Sequence, residues 1–183
     1  SSQLCVGKQP GCFATIAEAL DAAQDGDTIA IGPGTFAGGI AITKSVNLVG
    51  VSAGATTIAG GGPVLTIGEP DGARELTVSI ARLTIRDGLN RSTPQPFVAT
   101  GGGVWIPPRA NFETGATVTI SDSVIAGNRV DPETAMDFCG HPCAFATGAG
   151  IANAGTLTVA NTTISGNVAG STETDPSLAS YAA

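Results

Sequence analysis

A unit of apolar alternation closed by polar turns recurs about every forty residues along this chain, and few patterns restrict a fold more tightly. It reads Leu76-Thr-Val-Ser-Ile-Ala-Arg-Leu-Thr-Ile-Arg-Asp-Gly88, then Ala116-Thr-Val-Thr-Ile-Ser-Asp-Ser-Val-Ile-Ala-Gly-Asn128, then Gly155-Thr-Leu-Thr-Val-Ala-Asn-Thr-Thr-Ile-Ser-Gly-Asn167. Each copy predicts two short strands parted by a two-residue turn (Ala81-Arg82, Ser121-Asp122, Ala160-Asn161) and closed by Gly or Gly-Asn. Units of this length stack, each burying its apolar face only against its neighbours. The expected fold is a solenoid.

Composition agrees. The 183 residues suffice for one domain with a substantial core, and 26 glycines with only 13% charged residues suit an all-β chain with tight corners. A net charge of −7, with Lys8 and Lys44 the only lysines, argues against nucleic acid as a partner. No apolar run is long enough to insert into a membrane as a helix. The opening Ser1-Ser2-Gln3-Leu4-Cys5 reads as a processed end.

The four cysteines form two local pairs, Cys5 with Cys12 and Cys139 with Cys143. Two close pairs predict short-loop disulfides and hence a secreted or cell-surface protein. The second pair encloses His141, so a metal site is its alternative reading, although zinc would still lack a fourth ligand. Residues 13–26 carry the one convincing helix. Thr15 and Glu18 make a capping box, Ile16, Ala19, Leu20 and Ala23 an apolar stripe, and Gly26 the expected stop. Such a helix at the start of a solenoid covers its first open edge. We therefore expect a disulfide loop and cap over residues 1–26 and stacked coils over 27–183, in one domain.

After the helix come Gly26-Asp-Thr-Ile29, Pro33-Gly-Thr-Phe36 and Lys44-Ser-Val-Asn-Leu-Val-Gly50. In these motifs the chain resembles the pectate-lyase-like right-handed parallel β-helix superfamily. The resemblance implies an all-β fold of three-strand coils behind an N-terminal helical cap. Gly101-Gly-Gly-Val-Trp-Ile106 and Gly148-Ala-Gly-Ile-Ala-Asn153 are then equivalent first strands, and the repeat supplies the second and third. GGGV, GAGI and the Ser-Gly-Asn endings also resemble the repeats of polymorphic outer-membrane-protein and adhesin-type surface proteins. Lyases, hydrolases, esterases and non-enzymes share this fold, so activity does not follow from it. The hydrolase set of Asn-Thr-Asp, Asp-Asp, Gly-His-Gly and Arg-x-Lys is missing from the sequence, and no equivalent of the methylesterase aspartate pair is recognised.

Insertions follow the third strand each time, at Leu89–Thr100, Arg129–Thr147 and Val168–Ala183, so they stack on one side and point to a functional face. Each carries an aromatic near its end (Phe97, Phe145, Tyr181), which packing over the loop explains. The third runs to Ala183 where its predecessors enter GGGV and GAGI. A further coil, from more of the chain or from a second molecule joined end to end, is the expectation there.

Candidate site residues fall on this face. Arg86 and Asp87 are the nearest match to a lyase base with a calcium ligand, although a neighbouring Arg-Asp at a strand end is more often a solvated ion pair. Asp131, Glu133 and Asp137 share a loop and are the candidates for Ca²⁺, which takes six to eight oxygens. No other cofactor is called for. Trp105 should face outward if Val104 and Ile106 face the core, forming a sugar-stacking platform near Arg109 unless loops cover it. Asn128, Asn161 and Asn167 read as structural turn residues, and Asn90-Arg-Ser is a glycosylation sequon in a eukaryotic host. The expected function is a secreted, non-catalytic binding or adhesion scaffold facing polysaccharide or surface glycan. A diverged lyase or hydrolase and an end-to-end assembly unit are the alternatives.

Overall fold

The computed structural model describes residues 1–91, 98–131 and 145–170. Strand β1 (Gln3–Val6) and helix α1 (Ile16–Ala22) come first. Then follow β2 (Thr28–Ile31), β3 (Gly34–Ala37) and β4 (Ile40–Ile42), and a second coil of β5 (Asn47–Gly50), β6 (Thr56–Ala59) and β7 (Leu65–Ile67). The third coil holds β8 (Thr77–Ala81), β9 (Thr84–Arg86), β10 (Leu89–Asn90), β11 (Val98–Thr100) and β12 (Val104–Ile106). The fourth holds β13 (Thr117–Ser121), β14 (Val124–Ala126), β15 (Arg129–Val130), β16 (Phe145–Thr147) and β17 (Ile151–Asn153). Strands β18 (Thr156–Ala160), β19 (Thr163–Ser165) and β20 (Val168–Ala169) begin a fifth.

Three parallel sheets wall the solenoid. Wall A is β1-β2-β5-β8-β13-β18, wall B is β3-β6-β9-β14-β19, and wall C is β4-β7-β12-β17. The walls close into a right-handed parallel β-helix, the hand that crossovers between parallel neighbours favour. The equivalent first strands expected at 104–106 and 151–153 lie side by side in wall C, with Val104 opposite Ile151.

The core is a set of axial columns made by alternation. In wall A, Ile29, Leu48, Ile80 and Ile120 stack in register, each fully buried. Ile58, Ile85 and Ile125 do the same in wall B, and Ile40, Leu65 and Val104 form a buried column in wall C. Burying each such side chain stabilises by about 1.5–3 kcal/mol before entropy is counted. Outward positions, Trp105 aside, are mostly small or polar, as one solvated face requires.

The corners explain the repeat's polar residues. Between walls A and B the strand runs one residue further than expected, so the turns are Arg82-Leu83, Asp122-Ser123 and Asn161-Thr162. Residues 82, 122 and 161 adopt φ of 59°, 49° and 47°, and this left-handed geometry sets the bend. Between walls B and C, the buried Asn128 and the half-buried Asn167 form a ladder. Asn128 Nδ2 donates to Asn167 Oδ1 at 2.9 Å and to the Ile85 carbonyl at 3.2 Å, while its Oδ1 accepts the Gly88 amide at 3.0 Å. A side chain at Gly103 or Gly150 would strike these amides, which gives the GGGV and GAGI motifs their reason. Asn161 lies outside the ladder, reaching Asp122 instead.

The cap differs from expectation in length. The Thr15–Glu18 capping box forms, but the helix ends at Ala22 rather than near Gly26. Lys44 is the cause: its Nζ donates to the carbonyls of Leu20, Asp21 and Ala23 at 2.8, 2.8 and 2.7 Å, leaving them no need of a left-handed glycine. Gly26 turns the chain into β2 instead, its amide bonded to the Ser45 carbonyl. The Cys5–Cys12 disulfide is formed, holding the short loop between β1 and the helix.

Candidate functional site

Wall C presents the face that the insertions flank. Its outward row is Ala41, Thr66, Trp105 and Ala152, paired in register, so the indole stands among small neighbours. Val104 and Ile106 are fully buried and Trp105 half-buried, as alternation requires of an outward ring. Gly101, with φ 67°, lies against its Cβ, where any larger residue would collide.

One side of this face is the B–C corner, where the insertions begin and end. Their bases are paired strands: β10-β15-β20 form one ribbon and β11-β16 another. The asparagine of the sequon, Asn90, donates its side-chain amide to the Thr100 carbonyl across the first loop's base. Arg86 and Asp87 sit at this corner, Nε to Oδ2 at 3.5 Å, both about half exposed. Asp87 takes φ 57° where the later coils have Gly127 and Gly166, and its carboxylate lies beside Gly127. One coil further on, Asp131 is buried at 7% exposure against Arg91 at 3.8 Å and Arg129 at 3.6 Å. This pairing already neutralises the carboxylate that was the first calcium candidate. Glu133, Asp137, Cys139, His141 and Cys143 lie outside the described residues, as does Phe97. Among the described residues no three His, Cys, Asp or Glu side chains gather as metal ligands would.

The opposite side of the face is the loop from Pro107 to Gly115, leading from wall C to wall A. Arg109 is committed to holding it. Its Nε donates to the Thr114 carbonyl at 2.8 Å, and its Nη1 meets Glu113 at 3.3 Å and the Ala73 carbonyl at 3.5 Å. At the loop's tip Asn111 and Phe112 take φ of 57° and 59° in succession, and the Phe112 ring is 95% exposed. A bulky residue in left-handed geometry with its ring in water is costly on both counts. Sequence reasoning missed Phe112. The available signal was an aromatic in a Pro-Pro-Arg-Ala-Asn turn, flanked directly by the polar Asn111 and Glu113.

The site therefore gathers Trp105, Arg109 and Phe112 on one strand and the loop that follows it, with Arg86, Asp87 and Asp131 across wall C at the other corner. No family model matches the chain, and no curated protein does. Among solved structures, a pectin methylesterase mutant in complex with a hexasaccharide is similar at TM-score 0.42 and 19% identity, over 70% of this chain and 47% of that one. The pectin methylesterase PemA from Erwinia chrysanthemi is similar at TM-score 0.43 and 20% identity, over 70% of this chain and 52% of that one. The chain thus spans about half the length of these solved structures. Likeness at this level does not carry an activity from one protein to another.

Proposed function

We propose that this chain is a non-catalytic β-helix scaffold that binds polysaccharide across wall C, in an extracellular or cell-surface setting. The observation that supports this reading most is Phe112. Its ring stands in water on two consecutive left-handed residues, at the edge of the face that bears Trp105. Backbone strain of this kind persists where surrounding structure holds it and is a pointer to function. Aromatic rings bind sugars by covering their apolar CH faces, and the flat row of Ala41, Thr66 and Ala152 leaves room alongside the indole. The disulfide supports an oxidising compartment.

The eliminative or hydrolytic alternative has one observation in its favour, the exposed Arg86–Asp87 pair at the loop base. Binding isotherms on a panel of plant, algal and microbial glycans, run beside reducing-end assays with calcium and with chelator, separate the two. The scaffold reading expects binding without product, weakened at least tenfold in Phe112→Ala and Trp105→Ala. Product release abolished by Asp87→Ala overturns it, and so does binding indifferent to both rings.

A further inference from the structure

Wall A carries a second concave feature, on a different side of the solenoid from Trp105 and Phe112. A groove of about 980 Å³ runs along its outer face, from the disulfide loop to the corner after β8. Its floor includes an in-register column of Cys5, Ala30 and Val49, flat because every member is small or short. Hydroxyl and amide groups of Gln3, Gln9 and Thr28 line it, and it contains no carboxylate although the chain bears a net charge of −7.

Its cations set it apart. The protein has eight Lys and Arg residues, and six are engaged. Lys44 holds the helix carbonyls, Arg74 pairs with Asp25, Arg86 with Asp87, Arg109 with Glu113, and Arg91 and Arg129 with Asp131. Lys8 and Arg82 alone have no side-chain partner among the described residues, and both line this groove. Arg82 also occupies the left-handed corner position that later coils fill with Asp122 and Asn161, residue types better suited to it. The arginine is thus held at a conformational disadvantage on the groove's lining.

We propose that this groove binds an acidic oligosaccharide lying along the solenoid axis, with carboxylates met by Lys8 and Arg82 and ring hydroxyls by the amides and hydroxyls between. Lys8 follows β1 and Arg82 follows β8, three strand spacings apart, so the backbone positions that carry the two charges stand about 14 Å apart along the axis at ~4.8 Å per step. A single small anion does not span that distance. Nucleic acid needs far more neutralising cations. An extended peptide docks by adding to a sheet edge, whereas the floor here is the face of a sheet whose strands already pair with one another. A sparsely charged, hydroxyl-rich chain fits. This site is independent of the proposed use of wall C.

Calorimetric titration of the full chain with an oligogalacturonate of six to eight units, at low and at moderate salt, tests the proposal. Lys8→Ala and Arg82→Asn should each weaken binding at least fivefold and together remove it, while Phe112→Ala leaves it unchanged. Arg82→Asn places at the corner the residue found at 161, so its thermal midpoint should hold or rise, which separates lost contact from lost fold. Binding should fall with salt, and the methyl-esterified oligomer should bind at least tenfold more weakly. Absence of binding, wild-type affinity in both variants, equal affinity for the ester, or equal competition by polyglutamate or inorganic phosphate overturns it.

Discussion

Asn128 shows how much one side chain can hold in a β-helix. It is 1% exposed and links three coils through Ile85, Gly88 and Asn167. Asn128→Ala should leave the Gly88 amide buried without its acceptor and remove the extra bond to the Ile85 carbonyl, a loss of about 1–3 kcal/mol, read from the urea midpoint. Two aspartates make an equally local prediction about pH. Asp27 accepts the Ser2 and Gln24 amides, which hold its carboxyl below the ordinary value, and Asp25 is lowered by the Ser45 amide and by Arg74. With the folded pKa the lower one, the unfolded chain takes up protons first as pH falls. Their contribution is therefore full above about pH 4 and is lost as pH drops through the folded values. Thermal midpoints measured downward from pH 5 should fall for the wild type, and less steeply for Asp25→Asn with Asp27→Asn. At this scale the sequence was legible where chemistry is local: alternation about Trp105 placed the ring outward. Phe112 was not, because a loop has no period to announce which way a side chain points. The pairing of Asp131 with Arg91 was hidden too, since the residues meet only when two coils stack.

The helix repeats that contrast for an element. Its start was readable because the Thr15–Glu18 capping box spans three residues, with Thr15 N to Glu18 Oε2 at 3.0 Å and Glu18 N to Thr15 Oγ1 at 3.2 Å. Its end was not, because the group that completes it comes from 24 residues away in the chain. Lys44 supplies the positive charge that the last turn lacks, opposite the carbonyls where the helix dipole is negative. Lys44→Met keeps the stem and removes three charge-assisted hydrogen bonds. At this partly solvated site the expected cost is about 1–2 kcal/mol, with faster amide hydrogen exchange in α1 than in β5. Thr15→Ala should cost about 1 kcal/mol from the other end. If Lys44→Met left α1 as protected as before, the cap would be held by its apolar face alone.

For the whole molecule, the forty-residue period was the strongest sequence signal, and it persists as hydrogen bonds between residues 40 and 39 apart. The period does not say how firmly each coil is held. Core columns that are sealed in the middle coils open in the last one described: Ile125 is fully buried, yet its register partner Ile164 is 50% exposed. Ile120 and Val159 differ likewise, at 0% and 40%. A solenoid's stability is close to a sum of coil terms and nearest-neighbour interfaces, so a coil covered on one side is held by about half the contacts. The same substitution should then have unequal effects at equivalent positions. Ile125→Ala empties a fully packed site and should destabilise by about 3 kcal/mol, whereas Ile164→Ala should cost under about 1 kcal/mol. Hydrogen exchange should show the same ordering, with β18 and β19 opening before β13 and β14. Equal losses at both positions would mean that something covers the last column and that the solenoid continues across it.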